Sequence, residues 1–156
     1  MLSTPHLLVG AACGIISKDP ILAFSSGFVS HLVLDFIPHH DQTHYWSYKI
    51  YPKLNILISL LDFTVGITLL YVFLHTKPYE VIIVAALGAF GGFFLDFVDE
   101  VIGEFLWKGF RDTLLGSYIH RFHIFFHTSS PAHRWLLGIF TQIGSSFGSM
   151  IALYFI

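Results

Sequence analysis

The chain has 156 residues, 54% of them hydrophobic and 12% charged, with a formal net charge of −2 and a mean hydropathy of +0.70. A soluble domain carries about 25% charged residues, so this chain has too few to coat a water-facing surface. It has no basic stripe to neutralise phosphates and is not expected to bind nucleic acid. Its length is that of a single domain, residues 1–156, and one cysteine, Cys13, allows no intrachain disulfide.

Five apolar stretches follow in chain order. The first helix is expected to start at Thr4-Pro5, a capping residue followed by proline at the first helical position, and to run to about Ile16. No basic residue precedes its apolar run, so it is not read as a cleaved signal and is expected to stay. The second covers 21–37 and stops at Pro38; the third covers 54–74, the fourth 81–98 and the fifth 135–156. A helix crossing a bilayer needs about 20 apolar residues. The third and fifth meet this, the second and fourth meet it narrowly, and the first is short enough to suggest a tight hairpin with the second. Residues 99–134 interleave Phe105, Leu106, Phe110, Leu114 and Leu115 with Lys108, Arg111 and Asp112, the pattern of an interfacial amphipathic helix with Trp107 at headgroup level. The predicted fold is all-α: a polytopic membrane bundle of about five helices plus this interfacial one.

Alternate crossing places the start of helix one, the end of two, the start of three, the end of four and the start of five on one face. Lys49, Lys53, Lys108, Arg111, Arg121 and Arg134 lie there, against Lys18 and Lys77 opposite. Lysine and arginine excess marks the cytoplasmic side. The N-terminus and the crowded face are therefore expected in the cytoplasm and the C-terminus across the membrane.

Every histidine except His75 maps to that crowded face, together with Asp35, Asp41, Asp96 and Asp99. An ionised Asp inside a membrane helix costs about 2.5–3.5 kcal/mol, and such residues generally pair or serve a function. His31 and Asp35 are spaced i, i+4; Asp96 and Asp99, like His120 and His123, are spaced i, i+3, and His127 extends the last stripe. His6 approaches from the first turn of helix one, and His40-Asp41 from just beyond helix two. Imidazole with carboxylate suits zinc, manganese or iron, and the lack of clustered cysteine argues against a thiolate zinc site. Two carboxylates as close as Asp96 and Asp99 repel unless a cation sits between them. The candidate metal ligands are His6, His31, Asp35, His40, Asp41, Asp96, Asp99, His120 and His123.

Each feature also has a plain structural reading. His31 and Asp35 can form a simple hydrogen-bonded pair, Asp96 and Asp99 can reach water at a helix end, and His120, His123 and His127 can be the polar stripe of an amphipathic helix. His39, His44 and His133 read as solvent-facing loop residues. Asp62 reads as a supporting residue or a helix–helix hydrogen bond. Gly88, Gly91 and Gly92, and Gly138, Gly144 and Gly148, read as close helix-packing positions.

Pro5-His6-Leu7-Leu8, followed by Ser30-His31-Leu32-Val33-Leu34-Asp35-Phe36-Ile37-Pro38-His39-His40-Asp41, resembles the small bacterial membrane proteins described as membrane-bound, metal-dependent hydrolases. Those proteins carry an early His on helix one, a Leu-Pro-Asp-x-Asp-His segment after helix two and a later His-Arg-Gly-x-Thr-His-Ser motif. The resemblance covers about the first 41 residues. His39 stands where that family has its first Asp, Asp41 matches the second, and His120-Arg121 resembles the opening of the later motif without its continuation. The resemblance implies His6, Asp41 and His120 as site residues and hydrolysis as the activity.

The expected function is metal-dependent hydrolysis at the cytoplasmic membrane face, with a divalent transition metal, zinc foremost, and a phosphoester or other substrate at the lipid interface. The lipid bilayer is the expected surrounding partner. No serine- or cysteine-centred nucleophile motif is present. The competing class is a non-enzymatic metal- or proton-binding or transport protein, which favours ionisable residues spread along a path through the bilayer. Here the far halves of the five helices nearly lack them.

Overall fold

The structure, a computed structural model, describes residues 2–39, 52–128 and 135–156. His40, Asp41, His44 and His133 lie outside the described residues. Among the described residues there is no strand. The helices are α1 (Ser3–Ser17), α2 (Pro20–Phe36), α3 (Pro52–Leu74), α4 (Tyr79–Asp96), a π-helical continuation (Phe97–Leu106), a single turn (Phe110–Asp112), α5 (Leu114–Phe126) and α6 (Trp135–Phe155).

Three stretches are long and apolar enough to cross a membrane: Ile56–Leu74, Tyr79–Gly103 and Leu136–Phe155. At 15 and 17 residues, α1 and α2 rise only about 22 and 26 Å. The five expected crossings are thus three long helices and one short hairpin. Lys18, in the left-handed region at φ 56°, ends α1. Asp19 then accepts from Ile21 N and Leu22 N at 2.9 Å to start α2 with Pro20 in its first turn.

α1 occupies the centre, packed against α2, α3, α4 and α6. Leu7, Leu8, Ala11 and Ile15 bury against Leu70, Leu74, Ala85, Ala89 and Leu153. The crossing of α1, α2 and α4 is built on glycine: a Cβ on Gly88 would overlap the Gly10 carbonyl, and one on Gly10 or Gly27 would overlap that of Gly88. Backbone contact of this kind is how helices associate without a hydrophobic drive between them. Gly144 and Gly148 differ from the expectation, since nothing lies within 4 Å of a Cβ built on either; they face outward.

The start of α1 also differs. The helix begins at Ser3, and its capping comes from other helices. Thr4 N donates to Asp62 Oδ2 at 3.1 Å, Thr4 Oγ1 donates to the Asp62 carbonyl at 2.8 Å, and Leu2 N donates to Gln142 Oε1 at 3.2 Å. Asp62 thus fills the helix–helix role the sequence left open for it. It lies about 9 Å of helical rise beyond Ile56, at about 1.5 Å per residue, inside the apolar stretch of α3.

The single interfacial helix expected over 99–134 is three elements instead. α4 widens after Asp96, and Trp107 N donates to the Ile102 carbonyl at 2.8 Å, an i→i−5 bond. The chain then turns at Phe110, against whose carbonyl a Cβ on Gly116 would clash. Thr113 Oγ1 accepts from Gly116 N at 3.0 Å and starts α5. α5 buries His123 while Leu114, Leu115, Tyr118, Phe122 and Phe125 are exposed.

Candidate metal centre

Four helical segments bring their polar residues to one point. His6 comes from α1, His31 and Asp35 from α2, Asp96 from the last turn of α4 and His123 from α5. His6, His31 and Asp35 are wholly buried, and Asp96 and His123 nearly so. Burying so many ionisable groups is costly unless they satisfy one another or hold a cation.

The second ring nitrogen of each central histidine is already committed. His31 Nδ1 lies 2.7 Å from the Gly92 carbonyl, which can only accept, so Nδ1 carries the hydrogen and Nε2 presents its lone pair. His123 Nδ1 lies 2.9 Å from Asp99 Oδ2, which assigns its hydrogen in the same way. Backing of this kind fixes the tautomer of metal-binding histidines. The two Nε2 atoms are 3.4 Å apart. His31 Nε2 is 3.1 Å from Asp35 Oδ2 and 3.8 Å from Asp96 Oδ1; His123 Nε2 is 3.2 Å and 3.4 Å from the same two oxygens. Ligands about 2.0–2.1 Å from a tetrahedral ion stand about 3.3 Å apart. His31, Asp35, Asp96 and His123 therefore form a buried group that can hold a metal ion, with acceptors only on its inner face.

The charge demand of this group shows at His123. Burial opposes its protonation, yet hydrogen bonds to Asp35, Asp96 and Asp99 outweigh that and push its pKa up to about 12. A proton on His123 supplies the positive charge the carboxylates require.

His6 stands beside the quartet. Its ring stacks on His31 with centroids 4.1 Å apart, and its Nε2 is 3.2 Å from Asp35 Oδ1. Neither of its buried nitrogens makes a well-formed hydrogen bond. Asp99 and His120 sit one step back. Asp99 Oδ1 accepts from Arg111 Nε at 2.9 Å, and both its oxygens lie 2.9 Å from His120 Nδ1. Asp96 and Asp99 part company because the widened helix no longer places i, i+3 on one face: Asp96 faces the quartet, and Asp99 supports His123 from behind.

His39 differs most from its sequence reading. It is wholly buried, and burial pushes its pKa down to about 3. Backbone bonds draw it inward: Thr128 N donates to the Asp35 carbonyl at 2.8 Å and His39 N donates to that of Thr128 at 3.3 Å, tying the end of α2 to the end of α5. The signal available in the sequence was Pro38, which forces a turn directly after Asp35, and His127, one helical turn beyond His123. His39, His127 and Asp35 form a second possible ligand group. His75 lies at the far end of α3, stacked on Tyr71.

Compared with protein-family models, curated proteins and solved structures, the chain finds no match.

Proposed function

We propose that the chain is a membrane-embedded, metal-dependent hydrolase whose His/Asp centre opens toward the cytoplasmic face and acts on phosphoesters at the lipid interface. The observation that carries this reading is the convergence of four acceptor atoms, His31 Nε2, Asp35 Oδ2, Asp96 Oδ1 and His123 Nε2, four of whose mutual distances are 3.1, 3.2, 3.4 and 3.4 Å, with His31 Nε2 and Asp96 Oδ1 3.8 Å apart. Two imidazoles and two carboxylates in that geometry suit zinc over the octahedral, all-oxygen preference of magnesium. His31, Asp35, Asp96 and His123 would hold the metal, which with an open position would polarise a phosphoryl oxygen and lower the pKa of bound water.

Embedding in a membrane is supported by the inverted polarity of the bundle. Ionisable side chains fill its interior, while Leu57, Leu60, Leu61 and Val65 of α3 and Phe140, Ile143, Phe147 and Ile151 of α6 face outward. That distribution suits lipid as solvent. The excess of lysine and arginine that alternate crossing places on the site's side supports a cytoplasmic orientation.

One observation favours the non-enzymatic reading. A metal held by four protein ligands, all buried, has the closed shell of a structural site. The two readings separate in one experiment. Protein purified in detergent is assayed for zinc and for hydrolysis of a chromogenic phosphodiester and of phospholipid vesicles, before and after chelation. Retained metal with chelator-sensitive hydrolysis, lost in Asp96→Ala, supports the hydrolase. Retained metal without hydrolysis supports the binding protein, and a folded chain that takes up no metal removes both.

A further inference from the structure

We propose that the groove between α1 and α2 is a binding site for one acyl chain of a membrane phospholipid, held with its headgroup at the metal-centre end. This rests on the metal reading of the quartet and gives the proposed hydrolase its substrate class, a long-chain phospholipid. The groove has a volume of about 740 Å³, within the roughly 300–1,000 Å³ of small-molecule sites. Val9, Cys13 and Ser17 line it from α1. From Thr4 to Ile15 only Val9 and Cys13 are not buried, so the groove is where the central helix reaches the surface. Leu22, Val29 and Val33 form its wall on α2, each more than half exposed.

Serines also line the groove, yet their hydroxyl hydrogens are already spent. Ser17 Oγ donates to the Gly14 carbonyl at 2.7 Å, Ser25 Oγ to that of Ile21 at 2.8 Å, Ser26 Oγ to that of Ala23 at 3.1 Å and Ser30 Oγ to that of Gly27 at 2.6 Å. Each hydroxyl is turned back on its own helix, and the small side chains leave depth without a polar demand. A ligand bringing hydrogen-bond acceptors finds no free donor among these serines and loses its hydration for nothing. A run of methylenes has no such loss, and gains what any apolar surface gains on leaving water.

Length selects the occupant. From Leu22 to Leu34 the groove runs about 18 Å at about 1.5 Å per residue. One leaflet of the hydrocarbon core is about 15 Å deep, half of roughly 30 Å, so the groove matches one acyl chain and is too short to seat a crossing helix of a second copy. Its two ends differ. At one, Leu34 adjoins Asp35 in the chain, and Val9 shares a helix face with His6 one turn away. At the other stand Lys18 and Asp19, exposed and opposite in charge, which offer a phosphate no net attraction. A cation in the quartet does offer it. The headgroup therefore belongs beside Leu34 and the chain tip at the α1–α2 turn.

The test is photo-crosslinking of the zinc-loaded, full-length protein in phospholipid nanodiscs, with a diazirine placed either at the ester end or at the tip of a probe phospholipid's acyl chain. The ester-end probe should label Val9 and Val33, and the tip probe Ser17 and Leu22, each at least about 10-fold more than Phe147 and Ile151 of α6. Ser26→Leu, which fills the groove floor, should bring that labelling down to the α6 level while zinc content stays that of wild type. Even labelling of the groove and α6 would mean surrounding lipid only and overturns the site. The reverse order of the two probes, with the headgroup at Lys18, overturns it too, as does an unlabelled groove in a chain that native mass spectrometry finds dimeric. The wild-type pattern decides the question where Ser26→Leu fails to fold. Labelling in the expected order from protein that hydrolyses no phospholipid upholds the chain-binding groove and overturns the hydrolase reading alone; even labelling with hydrolysis intact does the opposite.

Discussion

His31 donates its Nδ1 hydrogen to the carbonyl of Gly92 at 2.7 Å, and Gly92 is also where α4 touches α1, since a Cβ there would overlap the His6 carbonyl. One residue thus sets the tautomer of His31 and the approach of His6. Gly92→Ala should separate the helices or strain them, costing about 1–3 kcal/mol as overpacking does, and should weaken zinc binding in parallel. Gly148→Ala, which meets open space, should leave zinc unchanged and gain up to about 1 kcal/mol in helix propensity. Thermal melts and zinc titrations of the pair check this; equal behaviour of the two variants would contradict it.

Asp62 tests whether a half-buried carboxylate near the site must belong to it. Its carboxylate accepts from Thr4 N, the role of a helix cap, while Thr4 Oγ1 donates to the Asp62 backbone carbonyl. Asp62→Ala should therefore cost about 0.5–2 kcal/mol of stability and leave zinc content as in wild type. A variant of normal stability that has lost zinc would place Asp62 in the metal centre.

The sequence made α2, α3 and α6 legible through uninterrupted apolar runs, and it made His6, His31, Asp35 and Asp96 legible because charge inside such runs needs a reason. Legibility failed where tertiary contact decides. Thr4 reads as a cap, yet the cap arrives from Asp62 on another helix. Asp99 reads as paired with Asp96 only if the helix keeps its α pitch through both, and it does not. His39 reads as a loop residue because loops usually meet water, whereas two backbone bonds through Thr128 fold it under α5. Thr113 and Gly116 carried a local signal for the start of α5 that the continuous amphipathic pattern obscured.

Protein stripped of metal should show a stability maximum near neutral pH. His39 has its pKa lowered from 6.5 to about 3 by burial. The unfolded chain takes up that proton more readily, and stability is lost as pH falls from about 6.5 toward 3. His123 has its pKa raised from 6.5 to about 12. The folded chain keeps a proton that the unfolded chain releases, and stability is lost as pH rises above about 6.5. Added zinc replaces that proton, so the alkaline loss should disappear on loading. Melting temperatures measured at about pH 5, 6.5 and 9, with and without zinc, check this; an alkaline limb that zinc does not change would refute the displacement.

The membrane orientation has its own test. A reporter active only outside the cytoplasm should be active when fused after Ile156 and silent when fused between residues 41 and 53. Crossing parity and the lysine and arginine asymmetry give this expectation. Reporters agreeing on one side would mean that the three long helices between the two fusion points do not all cross, and reporters with the opposite pattern would mean that α1 and α2 do not contribute an even number of passages.

Asp99 offers the sharpest separation between holding a metal and orienting the residue that holds it. Its carboxylate receives Arg111 Nε, His120 Nδ1 and His123 Nδ1, each at 2.9 Å, and Asp99 stands outside both ligand groups. Asp99→Asn keeps the size of the side chain and an acceptor for His123, but it removes the charge that strengthens His123 as a ligand. Zinc affinity should therefore fall by about 10–100-fold, the effect of losing a partner behind a ligand, while stoichiometry at saturating zinc stays that of wild type. Asp96→Asn removes a charged ligand itself and should lower the number of ions bound even at saturation. Competition titrations against a chelator of known affinity read both quantities at once. Loss of stoichiometry in Asp99→Asn, with the chain still folded, would move Asp99 into the coordination shell and displace Asp96 from the role assigned to it.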